Sequence, residues 1–379
     1  MRKPTPPALE SLLDAFAEIP DPRVARTRAH PLVNVLTMAL FGTICGADGW
    51  EALELFAEQR ADFFGRFLSM PKGTPSADTF RRVFEALDPK SFQDAFRRWL
   101  KPILDNLEGQ TIAIDGKSLR GALAHAREQG GAFHLMHVWA TGQRMLLGQK
   151  AVTNAGDEVG AALELLTVLD VRGATVTADA NTCTTSIAAA VRQGGADYVF
   201  ALKGNRGPLY NHVRHCFEEA EANGYRDASI SESREEAHGR LESRVVRALG
   251  FEPSAPSKKW TDLRTIVQVD RLRSADKLSF ERSYYVTSIA PDAAQLATRI
   301  RDHWKVENEL HYCLDVTFDE DRRKIRDENG AQNFALVTRY ALAMLKREPS
   351  KMSVAMKRRK AAWGDTYLLD VLASGTPQL

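Results

Sequence analysis

TIAIDG, residues 111–116, is where the chain changes period. Before it, from about residue 8 to 106, apolar residues recur at helical spacing: Leu9, Leu12, Leu13 and Phe16, then Trp50, Leu53 and Phe56, then Phe80, Val83, Phe84 and Leu87. After it the apolar runs are short and bounded by turn residues. TIAIDG, FHLMHVWAT (133–141) and RMLLGQKAVT (144–153) read as strands, the last two joined by a turn at Thr141, Gly142 and Gln143. Helices are expected over 157–169 and 184–193, and strands over 174–180 (ATVTADA) and 197–203 (DYVFALK). A meander of strands followed by strands alternating with helices predicts an α/β fold, a mixed sheet with helices on its faces.

Working outward, three parts are expected: a helical N-terminal domain over 1–107, a catalytic α/β domain over 108–330, and a basic helical segment over 331–379. The stretch from about 204 to 290 (ESRVVRAL, LRTIVQVDRLR, SFERSYYVTSIA) reads as a β-rich insertion, and an apolar-striped helix begins near Asp292. In the first domain TPSADTFRRVFEALDP offers Ser76 as a helix cap and Asp88-Pro89 as a stop; its Arg81 and Arg82 make it a possible DNA-reading helix, against the commoner reading of a packing helix with surface arginines.

Length and composition narrow the class. The chain has 379 residues, 44% hydrophobic and 26% charged, which excludes a peptide scaffold and a disordered chain. Cys45, Cys183, Cys216 and Cys313 are too scattered for a disulfide framework and fit a reducing compartment, and the start, MRKPTPPALESLLDAF, lacks a signal peptide's apolar run, so a cytoplasmic location is expected. The longest uncharged stretch, residues 31–47, suits a buried helix better than a membrane span. Net charge is +2, but residues 321–360 hold 12 Lys or Arg against four acids, including KRRK at 357–360. That zone reads either as a phosphate-contacting surface or as a solvated helical face.

Three carboxylates stand out. Asp115 and Asp179 each follow an apolar run, at the C-terminal ends of strands where ligands collect in mixed α/β sheets; turn and cap aspartates are common there too. Glu307 falls on the stripe of Ile300, Trp304, Leu310 and Leu314, whereas Glu309 points elsewhere. A carboxylate on a core-facing stripe needs compensation, either a salt bridge or a cation shared with the two aspartates. Oxygen-only ligands select a hard ion, Mg²⁺ or Mn²⁺.

AIDGKSLRG (113–121), VTADANTC (176–183), DYVFALKGNRG (197–207), HGRLESR (238–244) and HWKVENELHYCLDVTFDEDRRKIR (303–326) together resemble the DDE transposases of bacterial insertion sequences, specifically the H-repeat-associated group. IPDPR (19–23) and GADGWEAL (46–53) resemble that group's N-terminal associated domain, so the likeness covers nearly the whole chain. The resemblance implies a ribonuclease H-like core, with which the strand and helix order is compatible, and an acidic triad at Asp115, Asp179 and Glu307. It implies two Mg²⁺ (or Mn²⁺) ions clamping the scissile phosphate, with Asp115 bridging them. Double-stranded DNA, both element ends and target, is the implied partner; cutting at the ends is followed by attack of the freed 3′-hydroxyl on target DNA by a homodimer or larger assembly. Two alternatives share these features: a domesticated DNA-binding protein that no longer transposes, and a metal-dependent nuclease without strand transfer.

Lesser candidates surround the triad. Lys117, Arg120, Lys203, Asn205 and Arg206 flank the strand ends, Arg322, Arg323 and Lys324 lie in the basic zone, and His238 and Arg240 enter through the resemblance; all are candidate DNA contacts, against the alternative of simple surface solvation. His303 and His311 sit one helical turn either side of Glu307, placed to bond a metal-ligating carboxylate or simply to pack. His212, His215 and Cys216 form a weak zinc motif without a partner cluster.

Overall fold

The computed structural model of the protein describes residues 5–104, 107–122, 133–152, 157–237, 240–253, 257–274 and 278–375. Six helices come first: α1 (Pro7–Ala17), α2 (Leu32–Cys45), α3 (Trp50–Gln59), α4 (Ala61–Phe64), α5 (Ala77–Ala86) and α6 (Pro89–Leu104). Ser76 caps α5, its Oγ accepting the Thr79 N–H at 3.3 Å, and Asp88 holds the Ser91 N–H at 2.8 Å, so the Asp88-Pro89 pair that ends one helix also starts the next. The uncharged run forms α2, buried along most of its length; no single helix among the described residues is long and apolar enough to cross a membrane.

Then come β1 (Thr111–Leu119), β2 (Phe133–Ala140), β3 (Met145–Val152), α7 (Glu158–Thr167), β4 (Thr175–Ala178), α8 (Thr185–Gln193) and β5 (Asp197–Leu202), each close to its expected bounds. The next segment departs from expectation twice. It opens with a 16-residue helix, α9 (Gly207–Ala222), whose Leu209, Val213 and Phe217 face the core. Its strands β6 (Ser229–Ala237), β7 (Arg240–Gly250), β8 (Thr265–Ser274) and β9 (Leu278–Thr287) do not form a separate insertion, because β9 pairs with β5 from Val199↔Thr287 to Leu202↔Tyr284. One nine-stranded sheet results, in the order β3-β2-β1-β4-β5-β9-β8-β7-β6, with β1, β4 and β5 parallel and the other neighbours antiparallel.

Alternation along the strands gives the sheet two apolar faces. Ile112, Ile114, Val176, Ala178 and Phe200 pack against α7, α8 and α9. On the other face the chain lays a long broken helix: α10 (Ala293–Lys305), a π-helical segment (Val306–His311) and α11 (Tyr312–Val316). Its Leu296 and Ile300 pack on Val199, Val246 and Val267, while Val306, Leu310 and Leu314 join the helical core with Ala113, Leu119 and Leu135. The last three helices, α12 (Glu328–Arg347), α13 (Val354–Trp363) and α14 (Asp365–Ser374), pack into that same core beside α1–α6. Trp50, Phe84 and Phe334 meet there, the Trp50 and Phe334 ring centroids 4.9 Å apart.

Several expected surface cations are structural. Lys357 is buried, donating to the Leu345 carbonyl and paired with Glu348 at 3.0 Å; Arg358 reaches the Thr43 carbonyl and Asp48. Only part of KRRK is solvated, because α13 turns two of its four cations inward; Arg359 and Lys360 are exposed. At the centre of the layer Arg339 is fully buried. Its Nη1 lies 2.7 Å from Glu320, itself 2% exposed, and its Nε donates to His137 Nε2 at 2.7 Å. Truncating one partner strands the other charge in a dry site, which costs about 3–5 kcal/mol. Glu320→Ala is therefore expected to lower the unfolding free energy obtained from urea titration by that much, whereas Arg359→Ala, on the same layer but exposed, leaves it nearly unchanged.

Candidate active site

The two aspartates are placed by strand register. β1 and β4 run parallel with Ile114 opposite Ala178, so Asp115 and Asp179 are the next residues on neighbouring strands. Neighbouring strands lie about 4.8 Å apart. Since Ile114 and Ala178 face the α7–α9 core, both aspartates leave the opposite face, towards α10 and the π-helical segment. Asp115 lies within a strand rather than at its end, because β1 continues to Leu119 by pairing with β2; the parallel pairing with β4 is what stops at Ile114. Asp115 is opposite His137 and His137 opposite Gln149, a polar row crossing an otherwise apolar sheet.

Each carboxylate has a distinct setting. Asp179 Oδ1 accepts from the Asn181 N–H (3.1 Å), the Thr182 N–H (3.1 Å) and the Thr182 hydroxyl (2.9 Å), fixing the loop after β4. Among the described residues, Asp115 Oδ1 accepts only the Gly116 N–H, at 2.8 Å. Burial raises the Asp115 pKa to about 7; the Gly116 N–H opposes this, and the negative charges of Asp179, Glu307 and Glu158 add to it. The three expected carboxylates thus share one electrostatic neighbourhood.

Glu307 is exposed and is not on the buried stripe. The expected α-helical register fails because residues 306–311 form a π-helix, whose wider turn places Val306, Leu310 and Leu314 inward and leaves Glu307 exposed beside them. Among the described residues, no group of three His, Cys, Asp or Glu side chains stands in metal-ligating geometry. The donor chemistry nevertheless suits a hard cation: two adjacent aspartates supply carboxylate oxygens, one of them with its pKa raised to about 7, chiefly by burial.

Both histidines face these aspartates. His303 Nδ1 lies 2.9 Å from Thr177 Oγ1, two residues before Asp179, and burial lowers its pKa to about 4. His311 Nδ1 lies 3.6 Å from Asp115 Oδ2; burial lowers its pKa to about 3, with the positive charges of Lys117 and Arg339 adding to the effect. At neutral pH this contact is one with a neutral imidazole, not an ion pair. The sequence reading passed over His137, Arg339 and Glu320, which stand behind His311, with the His137 and His311 rings 6.4 Å apart; a buried His in strict alternation opposite Asp115 was the available signal.

The expected DNA contacts divide. Lys117 is buried and paired with Asp315 at 2.5 Å, and Arg323 is buried between Thr338, the Phe318 carbonyl and Asp48, so both cations are committed internally. Asn205 donates to the Ala180 carbonyl and Arg206 to the Cys183 carbonyl, both at 2.8 Å, pinning the loop that carries Asp179. Arg120, Lys203, Arg322 and Lys324 are exposed. His238 lies outside the described residues, and Arg240 opens β7. His215 pairs with Glu218 and Glu219 rather than joining a zinc site, and all four cysteines are unpaired. In α5, Arg81 and Arg82 are both engaged by Asp78.

Comparison with known proteins gives the family. The family model described as transposase DDE domain matches residues 106–345, and its associated domain matches residues 13–100. H repeat-associated putative transposase YhhI of Escherichia coli (strain K12) is 34% identical over 373 residues, covering 96% of this chain and 98% of that one. Putative transposase YncI of Escherichia coli O157:H7 is 32% identical over 376 residues, covering 97% and 95%. A piggyBac transposase in its synaptic complex with hairpin DNA aligns with 99% of this chain and 84% of that one, at 13% identity and a TM-score of 0.40. A family match spanning well over half its length, together with transposase relatives aligned almost end to end, shows that the chain belongs to the DDE transposases, enzymes of DNA transposition.

Proposed function

We propose that Asp115, Asp179 and Glu307 are the catalytic triad of this transposase, holding two Mg²⁺ or Mn²⁺ ions that act on the phosphodiester backbone of double-stranded DNA at element ends and at the target. The single observation that carries this reading is the Ile114↔Ala178 register, which sets two aspartates side by side beneath the helix bearing Glu307. Bound there, the ions would supply charge neutralisation and an activated oxygen for phosphoryl transfer. The protein's own residues position: Thr182 and the loop N–H groups orient Asp179 so that Oδ2 remains open, His303 ties α10 to β4 through Thr177, and His311 lies against the second oxygen of Asp115.

The strand order β3-β2-β1-β4-β5, with β1, β4 and β5 parallel, supports a ribonuclease H-like core, extended here by four antiparallel strands. Division at residue 107 is supported by the two family matches, 13–100 and 106–345. A boundary at 330 falls inside α12, so in this reading the final segment 331–379 is continuous with the helical layer. Exposed Arg120, Lys203, Arg322 and Lys324 remain candidate DNA contacts, and action on paired ends implies at least a homodimer on DNA.

Asp115→Asn is expected to abolish Mg²⁺-dependent nicking of a supercoiled plasmid while leaving duplex binding within about twofold; undiminished nicking would remove Asp115 from the mechanism. A second expectation concerns pH. The native Asp115 pKa is raised from 3.8 to about 7, so the folded state binds the extra proton between those values and stability falls as pH rises through them. In EDTA, Asp115→Asn should flatten that decline in a denaturation series from pH 4 to 8. Mn²⁺ should raise the wild-type midpoint more at pH 8 than at pH 5, where protons compete for the carboxylate.

A further inference from the structure

On the helical side of the sheet, an open groove of about 740 Å³ runs between the β2–β3 turn, the α10–π-helix junction and the loop joining α12 to α13. Six cationic and two acidic side chains line it, a net charge of +4 on a protein whose total is +2. Most of these charges are accounted for locally. Arg144 and Lys346 share Glu309, at 3.2 and 4.0 Å, Lys357 pairs with Glu348, and Lys305 pairs with Asp302 at 2.6 Å.

Two are not. Arg347 is held by backbone carbonyls alone, its Nε donating to Ser374 at 3.0 Å and its Nη1 to Gln143 at 3.1 Å. Its Nη2 has no partner among the described residues, and no carboxylate offsets its charge; burial lowers its pKa, so the guanidinium is poorly compensated as it stands. Lys351, exposed in the loop, makes no ion pair among the described residues. The N-terminus of α13, a ten-residue helix beginning at Val354, also opens on the groove and adds its positive dipole end.

Position gives the groove its meaning. Lys305 and Glu309 line it, and Glu307 lies between them in sequence on the same helical stretch. That stretch also carries His311, 3.6 Å from Asp115, so one helical element borders the groove and packs against the carboxylates. We propose that this groove holds the phosphodiester backbone of the DNA running on from the cut position, with Arg347 and Lys351 against its phosphates. The inference rests on the transposase reading above but names a surface that reading does not use.

The test measures binding of the full-length protein to a short fluorescent DNA duplex in EDTA over a salt series. Arg347→Gln and Lys351→Glu should each weaken binding at low salt by about three- to tenfold and reduce the slope of log affinity against log salt by about one. Arg347→Lys should recover part of the loss. Lys259→Glu, exposed beside Trp260 on the α7–α9 side of the sheet, controls for net charge and should change neither quantity. Lys351 is exposed and makes no ion pair among the described residues, so its variant stays informative even if Arg347→Gln is unstable. Wild-type affinity and slope in both variants would overturn the groove; if the wild type then still nicks plasmid in an Asp115-dependent way, the transposase mechanism stands without it. Failure of the wild type to bind duplex at any salt would overturn both.

Discussion

The parallel pairing of β1 with β4 is the constraint on which the site depends. It ends at Ile114 and Ala178, and the two residues that follow are acidic, so the sheet itself fixes two carboxylates about one strand spacing apart. Neither can relax away without breaking a ladder buried on both faces. The cost is electrostatic: burial, with the negative charges of Asp179, Glu307 and Glu158 adding to it, raises the Asp115 pKa to about 7, and His311, 3.6 Å away, offers a neutral imidazole rather than a counter-charge.

The helical layer packs on the face of the sheet that carries Asp115 and Asp179. The broken helix from Ala293 to Val316 spans two cores, packing first on the extended sheet and then on the bundle built from both ends of the chain. Its π-helical segment lies at the join. A π-turn is a costly interruption, and here it reconciles two packing registers that one straight α-helix would not satisfy together, leaving Glu307 next to the buried stripe instead of on it. The Arg339–Glu320–His137 network stands behind His311.

Much of this was legible in the sequence, for identifiable reasons. Strands β1–β5 and helices α7 and α8 were readable because short apolar runs there end in Gly, Asp or a capping Thr, and Asp115 and Asp179 were found because an acid after a buried strand breaks the pattern. Helix α9 was missed because its apolar residues, Leu209, Val213 and Phe217, are diluted by charged neighbours in a segment dominated by β-branched runs. Continuity of β6–β9 with the core sheet is a long-range pairing that no local pattern encodes. Glu307 is exposed rather than on the buried stripe that the sequence suggests, since 3.6-residue periodicity has no means of announcing a π-turn.

Charge was the least legible property, and the reason bears on function. The basic zone looked uniform in sequence, yet Arg323, Arg339, Lys357 and Arg358 are core residues, each satisfied by carbonyls or by Asp48, Glu320 and Glu348. Long cationic side chains serve there as internal cross-braces between helices whose own carbonyl ends need donors, and once so used they contribute nothing to a surface potential. Uncompensated positive charge is scarcer than a count of Lys and Arg implies: Arg120 and Arg322, though exposed, still face Asp321 and Asp319, and Arg347 is held by backbone carbonyls alone. A run of cations in such a zone measures the cross-bracing of helices as much as it measures surface potential.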